Sequence, residues 1–188
     1  IVNEKVYDEF LDKFKTEMEK VKSGNPENES TKLAPLAKTV FRDDLHRQVR
    51  ESIKGGAECI TGGYIPDIQG AFYPATILTN VQKGNPAYSE ELFGPVASVI
   101  KVKDDAEAVM VANDTSFGLG AAVFSKDIEK ADCLATNEIN SGAVFINDFV
   151  KSDPRMPFGG VKESGYGREL ALHGFREFMN VKSVAGKI

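Results

Sequence analysis

Between Ala57 and Asn147 short apolar runs of strand length alternate with turn residues and helical segments, and this alternation limits the fold more than any other feature. The runs Cys59 to Thr61, Phe72 to Leu78, Val96 to Val102, Leu119 to Phe124 and Ala143 to Asn147 predict strands. Several are apolar on both faces, as buried parallel strands are. Helix starts lie between the later ones. Asp104 and Glu107 have the spacing of a capping box, and Asp127 is placed to cap a helix carrying Ile128, Ala131 and Ala135. The order strand, helix, strand, helix, strand over residues 96–147 implies right-handed crossovers and a mainly parallel sheet, so the class is α/β.

Two helical patterns precede this region. Val6, Phe10, Phe14, Met18 and Val21 form an apolar stripe over residues 4–22, and Phe41, Leu45, Val49 and Ile53 recur every fourth residue before Gly55-Gly56. Both predict packing helices. After the strands, Asp148 to Gly167 combines prolines and glycines with charged residues and carries few strand or helix signals, which marks a long ordered or functional loop. Arg168 to His173 then predicts a short helix closed by Gly174, and Phe178 to Ala185 alternates like a terminal strand.

Composition excludes several classes. With 41% hydrophobic and 27% charged residues, a 188-residue chain can bury a core, which removes disorder, collagen and disulfide scaffolds from consideration. The formal charge of −5 is spread without a basic block, so neither nucleic acid nor an anionic membrane is an expected partner. No run is long enough to span a membrane. The start lacks the features of a signal peptide and lacks Met, consistent with a chain beginning inside a longer product; a reducing, cytoplasmic setting is expected.

The search for a catalytic device is largely negative. No GxGxxG follows a strand, and Walker, HExxH and GxSxG motifs are absent. His46 and His173 fall in helical segments and read as packing or surface residues; Cys59 and Cys133, without CxxC spacing, read as small buried hydrophobes, and no metal site is expected. The Asn28-Glu29-Ser30 sequon reads as a chance match. Two segments stand out. Ser89-Glu-Glu-Leu-Phe-Gly-Pro95 places carboxylates and an aromatic ring ahead of a buried strand, where they can meet a sugar hydroxyl and a flat ring, or can be a solvated helix end and a core Phe. Met156-Pro-Phe-Gly-Gly-Val-Lys-Glu-Ser-Gly-Tyr-Gly-Arg168 has glycines that permit close backbone approach, and Lys162 and Arg168 need partners if buried.

Those two segments, with Asn113-Asp-Thr-Ser-Phe-Gly-Leu119 between them, resemble the signatures of the aldehyde dehydrogenase superfamily, in order and along the whole chain. The resemblance implies the C-terminal catalytic portion of such an enzyme at residues 1–176, a mainly parallel twisted sheet with helices on both faces. Residues 177–188 become the terminal strand of an oligomerisation element, with Asn180 to Ala185 pairing with a hairpin from outside the chain. The family reaction oxidises an aldehyde to the acid with NAD or NADP, through a cysteine thiolate, an oxyanion hole and a glutamate that activates water. By the resemblance the nucleophile, the glutamate base and the N-terminal cofactor domain all lie upstream. No catalytic residue is assigned within the chain, and the isolated chain is expected to be inactive. Glu91 matches the glutamate that binds the nicotinamide-ribose hydroxyls, Phe93 an aromatic contacting the nicotinamide side, and Phe158 a residue beside the substrate tunnel. Lys151-Ser-Asp-Pro-Arg-Met156 resembles the version found in succinate-semialdehyde dehydrogenases. Ser152 falls where those enzymes bind the distal carboxylate, and Arg155 adds charge if it turns inward or none if it faces solvent. The implied partners are a small aldehyde, the missing cofactor domain and further copies of the protein. The alternatives are another small aldehyde, such as lactaldehyde or an aliphatic one, and a stand-alone binding or assembly module without chemistry.

Overall fold

The computed structural model describes residues 1–187, which form two units: Ile1–Ala108 and the remainder from Val109 onward. In the first, Asn3 caps α1 (Glu4–Glu19) by accepting from Lys5 N at 3.1 Å, and α2 spans Thr39–Lys54. The strands are β1 (Val2–Asn3), β2 (Glu58–Thr61), β3 (Thr76–Thr79), β4 (Val96–Ser98) and β5 (Lys101–Val102), with the short α3 (Pro86–Ser89) between β3 and β4. β1 pairs with β5 in parallel, and β3 lies between β2, antiparallel, and β4, parallel.

All residues of β3 are buried, and the main core gathers Leu45, Val49, Ala57, Tyr73, Leu78, Val81 and Ala87 around its Leu78 side. Full burial of side chains such as Leu45, Val49 and Leu78 contributes about 1.5–3 kcal/mol each. On a second cluster with Tyr7, Ile77 and Val99, α1 lays Leu11, Phe14 and Met18. The stripe expected on α1 holds at Phe14 and Met18 but is shifted by one position in the first turns, where Tyr7 and Leu11 pack while Val6 and Phe10 are 53% and 42% exposed. On α2 the buried face is Leu45, Gln48, Val49 and Ser52, and Phe41 is exposed.

Two expected strands are shorter than their apolar runs, for identifiable reasons. Pro74 supplies no ladder donor, so pairing begins at Thr76 although Tyr73 and Ala75 are buried. The run Val96–Val102 serves two sheets: β4 pairs with β3, Val99 N donates to Leu78 O at 2.8 Å, Val2 N donates to Ile100 O at 2.8 Å, and β5 then pairs with β1.

α4 (Asp105–Asn113) begins as the capping pattern predicts, with Asp104 Oδ1 accepting from Glu107 N at 2.9 Å and Glu107 Oε2 accepting from Lys103 N at 2.8 Å. In the second unit β6 (Gly120–Val123) pairs in parallel with β7 (Ala143–Ile146), and the connection is α5 (Ile128–Cys133), capped by Asp127 and continued by one wide turn over Leu134–Glu138. The α/β reading holds, mostly parallel, but distributed over three short sheets.

The last helix, α6, spans Ala171–Glu177 instead of starting at Arg168. Glu169 is paired with Phe158, and Leu170 and Ala171 have φ of 64° and 49°, so the helix begins only after the chain has turned. Gly174 does not close it. It sits within the helix where an added Cβ would lie 2.8 Å from the Glu169 carbonyl carbon. Residues 180–187 have no regular secondary structure; the strand expected there is one that takes its ladder partner from outside this chain.

Candidate functional site

In the first unit the segment Glu90–Pro95 is held from below. Ser52 Oγ donates to Gln48 O at 2.8 Å and accepts from Ala87 N at 2.9 Å, which seats α3 on α2. Gln48, 6% exposed, donates from Nε2 to Glu90 Oε2 at 2.8 Å and to Glu91 O at 3.2 Å. Leu92 packs into the main core, and Gly94 passes so close to Leu45 that an added Cβ would lie 2.4 Å from its Cδ2. Pro95 O then accepts from Thr76 N at 2.8 Å. The outcome is a fixed turn whose two outward groups are the exposed Glu91 carboxylate and the Phe93 ring, 76% exposed. Phe93 is thus not a core residue. An exposed carboxylate beside an exposed apolar ring on a held backbone suits a ligand that carries both hydroxyls and a planar ring.

In the second unit β7 delivers the chain to Asn147, whose left-handed φ of 52° turns it out of the strand. Its side chain holds the turn, accepting from Ser125 N and donating to Ser125 O, both at 2.8 Å. The loop beyond encloses, with β7, an open groove of about 850 Å³ whose rim carries Asp148, Lys151, Asp153, Arg155, Met156 and Phe158. Charges on this rim are paired. Lys151 Nζ reaches Asp148 Oδ2 at 2.5 Å, and Arg155 donates from Nε and Nη2 to the two oxygens of Asp153 at 2.9 and 2.6 Å. The Lys151 bond, with Phe149 N, holds Asp148 below the usual carboxylate range, and the Arg155 bonds hold Asp153 well below it. Ser152 is exposed between these pairs, and Phe158 is half-buried.

The glycine-rich segment that follows fixes Phe158. Phe158 and Glu169 exchange backbone bonds at 2.9 and 2.8 Å. Lys162 Nζ donates to Asn113 O and Thr115 O at 2.9 and 3.0 Å, Ser116 Oγ donates to Glu163 Oε2 at 2.8 Å, and Gly118 N donates to Ser164 Oγ at 3.0 Å. Arg168 Nη1 reaches Gly160 O and Gly167 O at 2.9 and 2.6 Å. A Cβ at Gly142 would lie 1.7 Å from Gly159 O, so the entry to β7 and this loop touch backbone to backbone. Two of the signature segments are one hydrogen-bonded piece, and their cations serve that piece.

The structure thus brings Glu91 and Phe93 together on one turn, and Arg155 and Phe158 together on one groove. Of the two expectations for Arg155, the solvent-facing one holds: its side chain is 85% exposed, although paired with Asp153. Sequence reading missed Gln48, Ser52 and Asp153; the first two were visible as polar residues spaced four apart inside the apolar face of α2. Cys59 and Cys133 are exposed, contrary to expectation, because β2 shows Cys59 to its open face and α5 buries only Ala131. Partial burial of its sulfur pushes the Cys59 thiol up, away from the thiolate a nucleophile needs. His46 Nδ1 lies 3.1 Å from Tyr73 Oη, and burial together with Arg50 lowers its pKa, whereas His173 is exposed. Among the described residues no group of three or more His, Cys, Asp or Glu is arranged to hold a metal ion, and no helix is long and apolar enough to cross a membrane.

The aldehyde dehydrogenase family model matches residues 1–184, and the chain belongs to that family. An aldehyde dehydrogenase of Paenarthrobacter nicotinovorans is 46% identical over 97% of the chain and 40% of its own length. Succinate-semialdehyde dehydrogenase [NADP(+)] 1 of Mycobacterium bovis is 44% identical over 98% of the chain and 40% of its own length. The solved structure of the Streptococcus pyogenes succinic semialdehyde dehydrogenase in complex with NADP+ superposes with a TM-score of 0.91, at 41% identity, over 95% of this chain and 39% of that one. The chain spans about two-fifths of the length of these relatives.

Proposed function

We propose that the chain is the C-terminal catalytic portion, residues 1–176, of a cytoplasmic NAD(P)-dependent aldehyde dehydrogenase that oxidises succinate semialdehyde or a similar small aldehyde acid. Residues 177–188 supply the terminal strand of its oligomerisation element. The observation that carries the substrate reading is the groove beside β7, where the Arg155 guanidinium and the Lys151 ammonium, each paired with an aspartate, stand on the same rim as Phe158. An aldehyde with an anionic far end finds there both a cation and an apolar wall. The named relatives, two of them succinate-semialdehyde dehydrogenases, support the same choice.

The turn at Glu91 and Phe93 fits a nicotinamide cofactor, because its carboxylate can accept from ribose hydroxyls while its ring covers a flat face. When bound, that cofactor takes up the hydride that the substrate aldehyde loses. Glu91 and Phe93 orient it; Ser152 and Arg155 hold the far carboxylate; Phe158 walls the aldehyde's path. The thiolate that attacks the carbonyl and the base that activates water lie on the upstream portion, so this chain alone binds and orients without catalysing. Replacing Ser152 by Ala in the complete protein is expected to raise KM for succinate semialdehyde much more than for butyraldehyde. An equal effect on both aldehydes removes the carboxylate-recognition reading.

A further inference from the structure

Arg155 has a long, mostly exposed side chain, yet its direction is set. Asp153, whose own side chain is only 17% exposed, accepts from Arg155 Nε and Nη2 and also from Arg155 N at 2.9 Å. Three bonds between residues two apart, with Pro154 stiffening the link, make one closed unit of this corner of the loop. The bonds from Nε and Nη2 occupy the side edge of the guanidinium. The end edge, formed by Nη1 and the second hydrogen of Nη2, keeps the parallel pair of donors that a carboxylate needs.

We propose that Asp153 is a positioning residue that determines specificity: it orients Arg155 so that the end edge of the guanidinium is presented, already ordered, to the far carboxylate of the substrate. This rests on the reading of the groove as the site for an aldehyde acid. The alternative role for Asp153 is an internal competitor that neutralises Arg155, and the two roles differ in sign. A competitor weakens the binding of an anion, so its removal tightens binding. A positioning residue spares the substrate the cost of ordering a flexible side chain, so its removal weakens binding. The geometry points to positioning, because Asp153 occupies one edge and leaves the other open.

The test is steady-state kinetics of the complete protein with succinate semialdehyde and with uncharged butyraldehyde, comparing wild type with Asp153→Asn, Asp153→Glu and Arg155→Ala. The expected result for Asp153→Asn is a rise in KM of about tenfold for the acid aldehyde, with kcat for that substrate and both constants for butyraldehyde unchanged. Asp153→Glu restores part of the loss. A fall in KM for the acid aldehyde overturns the proposal in favour of competition. An equal loss with both aldehydes overturns it in favour of a merely structural role. Should Arg155→Ala raise KM selectively while Asp153→Asn changes nothing, positioning by Asp153 is wrong and the groove reading stands. If the wild-type protein shows no preference for the acid aldehyde, the groove reading fails and this proposal with it.

Discussion

Gln48 shows how one polar residue in an apolar face can decide where a functional turn lies. Its amide reaches Glu90 and the Glu91 carbonyl from a buried position, so the turn that presents Glu91 and Phe93 depends on it. Gln48→Ala is expected to destabilise the fold by about 1–3 kcal/mol, read as a lower midpoint in urea unfolding, because the carbonyl beside it loses its donor. His46 makes a pH-dependent contribution of known sign. Tyr73, its partner, is pushed up to about 12 by burial, so its hydroxyl stays protonated and shares a hydrogen bond with His46 Nδ1 at 3.1 Å. Because the folded-state pKa of His46 is lowered, the unfolded chain takes up that proton first, and stability falls as pH drops from the ordinary histidine value towards the lowered one. His46→Gln is expected to flatten the loss of thermal midpoint between about pH 7 and pH 5. An unchanged slope removes His46 from the account.

At the scale of elements, the close approach of the glycine loop to β7 carries the clearest prediction. Gly142→Ala puts a methyl group into Gly159 O, where backbone meets backbone and neither side can yield, and a loss of about 3 kcal/mol is expected in thermal or urea unfolding. Wild-type stability in that variant would show that the two segments are not packed as described. The same elements show what the sequence could and could not disclose. The caps at Asp104 and Asp127 were legible because capping is local, needing only a side-chain oxygen and an amide within one turn. The division of Val96–Val102 between two sheets was not, since it depends on β1 and β3, distant in sequence. Helix α6 was misplaced because the pairing of Glu169 with Phe158 overrides local helical preference, and Gly174 serves contact instead of termination. Glu91 and Phe158 were singled out by the family resemblance alone; the Asp153 clamp on Arg155 needed side-chain geometry.

For the whole molecule, apolar side chains stand exposed in both units: Val6, Phe10, Val40 and Phe41 in the first, and Phe124, Phe149, Phe175 and Phe178 in the second. Exposed apolar side chains on this scale favour association. The isolated chain is expected to self-associate, and a clean monomer at high concentration in sedimentation equilibrium would contradict that. The central claim is that this chain supplies the binding walls of an aldehyde dehydrogenase whose chemistry resides upstream. Nicotinamide reduction tests it most directly, with succinate semialdehyde and either NAD or NADP, comparing the purified chain with the complete protein. Reduction by the complete protein alone is the predicted result; reduction by the isolated chain would contradict the account and return Cys59 and Cys133 to consideration as nucleophiles.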